Sequence, residues 1–272
     1  MAIVIGAGAL HAVWNAIVKY LDDRLVVFAL IGIASTVGGG LMLAISGLPY
    51  RAAIGFAAVS AAIHIGYDLG LMNSYRLGAF NQVYPIARGT SPLLVAFGAY
   101  FLADERLGAV PLAGVAILAA GLASLALSSG RLTSSELPAI GAALLTGLAI
   151  AGYTIVDGLG VRRAHDPYAY AGLLFFLQGP VFPVIAAFRR PRSWLTGPGT
   201  GKGLLAGALA LVAYGIVLWA QTRAPLAEVA AIRETGVVFA ALIGMKLFGE
   251  RFGLRRLAAA LVVAAGIVLI SA

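Results

Sequence analysis

The sequence contains no cysteine, only three histidines and few charged residues. Charged side chains make up 11% of its 272 residues and hydrophobic ones 61%, whereas soluble proteins average about 25% charged residues. Without cysteine there is no disulfide framework, thiol nucleophile or thiolate metal site, and the scattered histidines do not form a zinc motif. We therefore expect neither a disulfide-stabilised secreted protein nor a bound metal or other cofactor.

The formal net charge of +8 would suggest a nucleic-acid partner in a soluble protein. Here the basic residues lie mostly at the ends of apolar segments, where membrane orientation and anionic lipid headgroups explain them better. The composition therefore predicts an integral membrane protein, with membrane lipid and no nucleic acid as a partner. The first apolar segment begins at once, without a basic leader or a cleavage site, so we expect no signal peptide.

Apolar segments of about 20 residues, the length that crosses a bilayer, predict an all-α protein with ten transmembrane helices and no soluble domain. They cover 2–20, 25–47, 52–74, 80–102, 108–128, 137–157, 168–188, 203–222, 226–248 and 254–271. The longest connections are 128–136 and 189–202.

The two halves of the chain, 1–130 and 137–272, are predicted to be copies of one five-helix repeat. At an offset of 145 residues Arg88 aligns with Arg233 and Glu105 with Glu250. Because each copy has an odd number of spans, the second must cross the membrane in the opposite sense to the first. Inverted repeats of this kind are typical of secondary transporters, whose binding site lies near the midplane between the copies.

The loops between the spans predict an orientation in the cell (inner) membrane. One set of alternate loops holds 11 lysines and arginines, and the other set holds 5. The positive-inside rule therefore places both termini outside the cytoplasm.

Three stretches resemble EamA-type transporters of the drug/metabolite transporter superfamily: LHAVWNAIVK at 10–19, VYPIARGTSPLLVAFGAYFLADERL at 83–107 and AAIRETGVVFAALIGMKLFGERF at 230–252. The resemblance covers essentially the whole chain. It implies a ten-helix bundle around a central substrate cavity, a transporter rather than an enzyme, and termini in the cytoplasm, contrary to the loop count. Members often have a Glu-Pro pair where this chain has Arg88 to Pro92 and Arg233 to Gly236. Because members handle amino acids, sugar phosphates, purines and drugs, the resemblance supplies no substrate.

Arg88 and Arg233 form the predicted anion site. Each lies in an apolar span, where an arginine is costly and usually functional, and they occupy equivalent positions in the two copies. Planar guanidinium groups suit a carboxylate or a phosphate. Tyr84 shares the helix face of Arg88. The alternative is that Glu234 or Asp68 neutralises the arginines, which then only lock helices together.

Polar and aromatic residues of other spans are predicted to contact the substrate, as a grip for an amine or a ring, or else to pack in the core: His11, Trp14, Asn15, Tyr67, Tyr153 and Tyr214. Glu234 is predicted to contact the substrate as well as the arginines. Asp157 is expected near a helix end, in contact with solvent. The proton-coupling candidates are Glu234 and the pair His64 and Asp68, whose spacing of four lets the side chains meet. A satisfied polar pair is the alternative.

The sequence therefore predicts a secondary active transporter. It moves a small anionic or zwitterionic metabolite, resembling an amino acid, carboxylate or phosphate, by alternating access coupled to protons. One alternative is a broad exporter of aromatic or hydrophobic compounds that uses the tyrosines. Another is a membrane-embedded enzyme with His64 and Asp68 as base and acid, although no nucleophile, metal set or cofactor motif accompanies them. A monomer is expected, with a homodimer as the alternative.

Overall fold

The computed structural model describes residues 1–21, 23–77, 80–127, 137–190, 192–248 and 254–270, without the side chains of 71–86, 244–248 and a few others. Helices form nearly all of this part of the chain, and no strand occurs in it. In order they are α1 (Ala2–Tyr20), α2 (Arg24–Ser46), α3 (Arg51–Leu77), α4 (Phe80–Leu102), α5 (Ala109–Leu127), α6 (Leu137–Arg163), α7 (Pro167–Gln178), α8 (Val181–Arg189), α9 (Thr200–Gln221), α10 (Leu226–Arg233), α11 (Thr235–Phe248) and α12 (Leu254–Ile270).

The helices lie where the apolar segments predicted them, with three differences. The sixth predicted span, 137–157, continues to Arg163 as α6. The seventh is divided into α7 and α8, and the ninth into α10 and α11. By length and composition, five helical stretches of the described chain suffice to cross a bilayer: Arg24–Ser46, Arg51–Gly70, Ile140–Arg163, Pro167–Arg189 and Thr200–Gln221. The structure is therefore that of an all-helical protein with several candidate membrane spans.

The outer surface is apolar. Ile45 is 86% exposed, Phe97 67% and Phe188 87%. Large apolar side chains are exposed along most helices of the described chain, and lipid tails solvate such side chains more favourably than water does. The surface therefore fits a bilayer.

Pro180 divides the seventh span. Proline has no N–H, and its ring crowds the carbonyl four residues earlier, which bends a helix. Gly179 keeps helical dihedral angles, with φ −58° and ψ −42°, so the chain changes direction without unwinding. A Cβ on Gly179 would lie 2.7 Å from the backbone nitrogen of Thr36. The glycine therefore lets α2 approach the bend closely.

Glu234 separates α10 from α11. Its backbone N–H donates to the carbonyl of Ala231, three residues earlier, at 3.0 Å, and its own carbonyl accepts from Val237 at 3.0 Å. This is the tighter 3-10 pattern, which inside a helix often marks a hinge. The ends of two half-helices consequently meet at one residue in the interior.

Packing between helices follows a regular scheme. α1 packs against α9 and α11, α6 packs against α3 and α4, and α2 packs against α7, α8 and α9. α5 packs against α12, where a Cβ on Gly114 would lie 2.8 Å from the carbonyl oxygen of Gly266. Small residues are commonly found where membrane helices touch along their backbones.

Asp23 begins α2 and also holds the end of α8. Its Oδ1 accepts from the N–H groups of Leu25 at 3.1 Å and Val26 at 3.3 Å, which satisfies donors at the helix N-terminus. Arg190 Nε lies 2.6 Å from Asp23 Oδ2. The hydrogen bond from Arg190 is the main cause that lowers the pKa of the Asp23 carboxyl from 3.8.

Candidate functional site

Arg88, Arg233 and Glu234 form one buried cluster. Arg88 in α4 is 4% exposed, Arg233 at the end of α10 is 3% exposed, and Glu234 is fully buried at 0%. Glu234 Oε1 accepts from Arg88 Nη1 at 3.0 Å and lies 3.7 Å from Arg233 Nε. One carboxylate oxygen is thus shared by guanidinium groups from the two halves of the chain, which joins the predicted pair of arginines.

Several polar atoms of this cluster have no hydrogen-bond partner among the described residues. They are Arg233 Nε, Arg233 Nη2 and Glu234 Oε2, together with the buried hydroxyl of Ser91 in α4. An unmet donor or acceptor away from water costs about 1 to 3 kcal/mol, and more when it is charged. Buried polar groups are normally satisfied, so these atoms call for a further partner.

Gly8 brings α1 directly against the break at Glu234. A Cβ on Gly8 would lie 2.5 Å from Thr235 Oγ1 and 3.0 Å from the backbone nitrogen of Gly236. No other residue type fits there without a shift of backbone, because Gly236 in turn faces the carbonyl of Gly8. The first helix therefore supports the segment that carries Arg233 and Glu234.

Gly147 has the same role for Arg88. A Cβ on Gly147 in α6 would lie 2.9 Å from the carbonyl oxygen of Ala87. Ala87, which precedes Arg88, thus packs against the α6 backbone at Gly147, where there is no side chain. Each arginine therefore lies next to a close glycine contact with a helix from the other half of the chain. α4, which carries Arg88, packs against α6, and the break between α10 and α11, which carries Arg233, packs against α1.

An aromatic wall lies beside the cluster. His64 stacks on Tyr153, with ring centroids 3.9 Å apart, and meets Tyr214 edge-on at 5.3 Å. Tyr67 lies edge-on to Tyr153 at 5.8 Å. Arg233 is close enough to act electrostatically on Tyr153, Tyr214 and His64. The wall therefore borders the arginines, and it brings together three of the predicted aromatic contact residues.

Asp157 in α6 anchors this wall, although the sequence predicted that it would contact solvent. It is fully buried, at 0% exposure. Its Oδ1 accepts from the Tyr170 hydroxyl at 2.9 Å and its Oδ2 accepts from the Tyr214 hydroxyl. Ser60 in α3 is a further hydroxyl next to this carboxylate. The prediction of a solvent contact is wrong, because α6 runs six residues beyond the predicted end at 157.

α6 continues past Asp157 through two glycines. A Cβ on Gly158 would lie 2.3 Å from a methyl carbon of Leu226, and one on Gly160 would lie 2.6 Å from the hydroxyl of Tyr170. These glycines serve close contacts with neighbouring helices and do not end the helix. The spacing of four between Tyr153 and Asp157 was the signal in the sequence that both side chains face the same interior.

His11, Trp14 and Asn15 line one face of α1. Trp14 Nε1 donates to His11 Nδ1 at 3.3 Å, so in a neutral imidazole the ring proton is on Nε2. Asn15 donates to the backbone carbonyl of His11 at 2.8 Å. Arg88 and Arg233 both act electrostatically on His11. His11 is therefore the member of this trio that lies near the arginines, while Asn15 is bonded within its own helix.

The expected contact between His64 and Asp68 is not formed among the described residues. His64 Nδ1 lies 3.0 Å from the Ser60 carbonyl oxygen and 3.2 Å from its hydroxyl, so the histidine turns one helical turn back, away from Asp68. Asp68 is half-buried. Tyr84 lies in α4, and its side chain is outside the described residues.

Glu105 forms a second polar junction, at the end of α10 away from Arg233. Glu105 Oε2 accepts from the backbone N–H of Leu226 at 2.7 Å, and Oε1 lies 2.6 Å from Arg162 Nη2. Arg162 also donates to the carbonyls of Gln221 at 2.8 Å and Ala224 at 2.9 Å. We call Glu105, Arg162 and the start of α10 the Glu105 junction. It connects the ends of α4, α6, α9 and α10.

The architecture and the buried charges define the class of protein. Within the described residues no three or more histidine, aspartate or glutamate side chains are placed to hold a metal ion. The apolar surface, the spanning helices and the charged cluster at a helix break are those of a multi-pass helical membrane protein. Broken helices with charges at the break are common in transporters of this class.

Comparison with known proteins identifies the family. The model of the EamA-like transporter family matches residues 137–272, half of the chain. The chain belongs to this family and is a membrane transporter of the drug/metabolite type. No curated protein matches the sequence significantly. A solved structure described as "Crystal structure of protein" has a TM-score of 0.79 and 15% identity, over 99% of this chain and 96% of that chain. At this identity the likeness concerns the fold alone.

Proposed function

We propose that the protein is a secondary active transporter that moves a small anionic or zwitterionic metabolite by alternating access, coupled to protons. The observation that carries the proposal is the cluster of Arg88, Arg233 and Glu234, which contains two cations and one anion around a helix break. The unpartnered atoms of Arg233 suit the oxygens of a carboxylate or phosphate, because a guanidinium binds them through parallel hydrogen bonds.

The packing scheme supports the proposed plan of ten spans in two inverted repeats, 1–130 and 137–272. Taking α7 with α8 as the seventh span and α10 with α11 as the ninth, the contacts of α6 with α3 and α4 mirror those of α1 with α9 and α11. The second and seventh spans pair with each other, as do the fifth and tenth. If each span is replaced by its counterpart in the other half, the same pairs of helices are in contact. The arginine cluster lies where the two halves meet.

Glu234 acts in this mechanism as a stand-in for the substrate anion. It pairs with Arg88 through one oxygen, while its other oxygen has no hydrogen-bond partner among the described residues. An incoming anion takes over donors of both arginines. A ligand that competes with an internal ion pair in this way shifts the protein between two arrangements of the same helices, which is what alternating access requires. The sequence offers His64, Asp68 and Glu234 as candidates for the group that binds the coupled proton.

The aromatic wall supports a second candidate, an exporter of aromatic or hydrophobic compounds. Tyr67, Tyr153 and Tyr214 present ring faces and edges beside the arginines. Aromatic rings bind flat apolar ligands and organic cations. The two candidates differ in the charge of the ligand.

Thermal-shift measurements on the purified protein separate these candidates. The ligands are lactate, alanine, phosphate and methylphosphonate, set against uncharged aromatic compounds. A ligand at one hundred times its dissociation constant stabilises the folded state by about 2.7 kcal/mol. We expect stabilisation by one of the anions or by alanine, and its loss in the Arg233→Gln protein.

Arg163→Gln is the matched control, because Arg163 lies at the exposed end of α6, over the ring of Phe56. It should respond as the wild type does. The conservative Arg233→Lys protein keeps the charge but loses the planar fork, so it should fold and bind more weakly. Equal shifts in wild type and Arg233→Gln would reject the anion site, and stabilisation by aromatics alone would favour the exporter.

The proposed location is the cell (inner) membrane, with membrane lipid as surroundings, the small molecule as partner and a monomer as the working unit.

Loop charges and family resemblance favour opposite orientations of the termini. Because the chain has no cysteine, single cysteines can be introduced without background. Gly201→Cys near the start of α9 and Tyr168→Cys near the start of α7 lie at opposite ends of the bundle. Labelling of intact cells by an impermeant thiol reagent at Tyr168→Cys alone would favour external termini.

A further inference from the structure

We propose that Asp157 is the group that carries the coupled proton, an inference that rests on the proposed function. A proton taken up on one side of the membrane binds a carboxylate oxygen of Asp157, and the same proton leaves on the other side together with the anion. None of the sequence predictions assigned this role to Asp157.

The charge balance of the interior carries the inference. Among the described residues four charged side chains are buried: Arg88, Arg233, Asp157 and Glu234. With both carboxylates ionised, two positive and two negative charges cancel. One proton on either carboxylate leaves a net charge of +1, which a single bound monovalent anion neutralises. Proton and anion then enter together, since each removes the electrostatic cost of burying the other.

The surroundings of the two carboxylates indicate which one takes the proton. Glu234 is in contact with two guanidinium groups, and neighbouring positive charge favours the ionised form. Asp157 forms no ion pair among the described residues, and only hydroxyl groups donate to it. Of the two, Asp157 is therefore the carboxylate whose charge is less well compensated in the interior.

The titratable and polar groups that face Asp157 come from each helix around it. α3 contributes Ser60, whose hydroxyl is hydrogen-bonded to His64, α7 contributes Tyr170 and α9 contributes Tyr214. Arg233 of α10 acts on Asp157 electrostatically, and α6 itself adds Tyr153, which stacks on His64. Because Tyr214 and Tyr153 also interact with Arg233, the charge of Asp157 reaches the anion site through one layer of aromatic side chains.

A purely structural role explains these bonds less well. The hydroxyls of Tyr170 and Tyr214 could donate to a neutral asparagine oxygen at a much lower cost of burial, because a buried charge is far more expensive than a buried amide. A carboxyl group at this position is needed only if its charge has a function. One such function is to set the net charge of the arginine site.

Two measurements test the proposal with Asp157→Asn, which fixes the site in a neutral state. The first needs no ligand: an infrared pH titration of the purified protein follows the carbonyl band of a protonated carboxylic acid. The second is the pH dependence of stabilisation by lactate, which stays a monovalent anion between about pH 5 and 8, with alanine as the zwitterionic probe. For one coupled proton the apparent affinity changes by up to about tenfold per pH unit.

Two variants serve as controls. Tyr170→Phe removes one hydrogen bond to the same carboxylate and leaves its charge in place, so it should keep both the infrared band and the pH-dependent affinity. Asp68→Asn neutralises the half-buried rival and should also keep both. Only Asp157→Asn should lose the band and bind lactate equally well across the pH range.

The outcomes separate this inference from the proposed function. If wild type and Asp157→Asn show the same titrating band, or if Asp68→Asn alone loses the pH dependence, Asp157 is not the proton carrier, although the anion site stands. If neither probe stabilises the wild type in an arginine-dependent way, the anion site is in doubt, and the infrared titration alone still decides whether Asp157 takes up a proton.

Discussion

The Glu105 junction allows a quantitative test of how α10 is held in place. α10 has 8 residues, and its N-cap is Pro225, which offers no side-chain hydrogen bond. Short helices are unstable on their own, and the N–H of Leu226 at its first turn is satisfied by Glu105 Oε2 at 2.7 Å. We therefore expect Glu105→Ala to destabilise the protein by freeing the end of α10 opposite to Arg233.

The magnitude follows from three losses. A side-chain cap contributes about 1 kcal/mol, and a negative charge at a helix N-terminus about 0.3 to 1 kcal/mol. The ion pair with Arg162, whose side chain is 31% exposed while that of Glu105 is 12% exposed, adds about 0.5 to 1 kcal/mol after allowance for solvent screening. Glu105→Ala should therefore cost about 2 to 3 kcal/mol. Glu105→Gln keeps an acceptor for the backbone N–H and should cost about half as much.

Denaturant unfolding in detergent micelles measures these costs. The matched control is Glu228→Ala, which removes an acidic side chain from the first turn of the same helix. Glu228 has no hydrogen bond or ion pair among the described residues, so its removal should cost no more than the attraction of one charge to the helix N-terminus, about 0.3 to 1 kcal/mol. If Glu105→Ala proved no less stable than Glu228→Ala, the junction would not hold α10.

Further expectations concern the arginine cluster, the first helix and the end of α2. Glu234→Gln leaves two buried guanidinium groups without their counter-charge and should lower the free energy of unfolding by about 3 to 5 kcal/mol. The double variant Glu234→Gln with Arg88→Gln should lose less stability than the sum of the two single losses. Additive losses would contradict the pairing. Gly8→Ala should abolish transport and lower the melting temperature, while Gly6→Ala, which meets no atom within 4 Å, should do neither; equal effects would contradict the close contact at the break. The pKa of Asp23 is lowered in the folded state from the ordinary value of 3.8, so its contribution to stability is present above that value and is lost as pH falls through the lower folded value. Asp23→Asn should remove that part of the acid sensitivity in a series of unfolding midpoints between about pH 5 and 3, and an unchanged series would contradict it.

Helix positions could be predicted well because the apolar segments are long and the polar turns are short. The breaks at Pro180 and Glu234 could not be predicted from span length, since both lie inside segments that remain apolar and long enough to span. The sequence also does not show whether Gly158 and Gly160 end the helix or allow another helix to pack closely against it. That choice depends on Leu226 and Tyr170, which are distant in sequence.

The site was predictable in part for a related reason. An arginine in an apolar span stands out from sequence alone, and the duplication pairs Arg88 with Arg233. The sharing of Glu234 between them depends on the tight turn at the break, which places its carboxylate against a helix of the other half. His64 contacts Ser60 and not Asp68 in a position that is fixed by the rings of Tyr153 and Tyr214, which pack against the imidazole. No local spacing contains that information.

Among the described residues, the buried positive and negative charges are equal in number, which has an electrical consequence. A membrane potential does about 2.3 kcal/mol of work per 100 mV on each net charge that moves across it. Without a ligand, the buried charges of the binding site sum to zero as the protein changes its orientation. With one proton and one monovalent anion bound, they also sum to zero. Voltage should then neither drive nor slow either half of the cycle, and only the gradients of proton and anion set its direction.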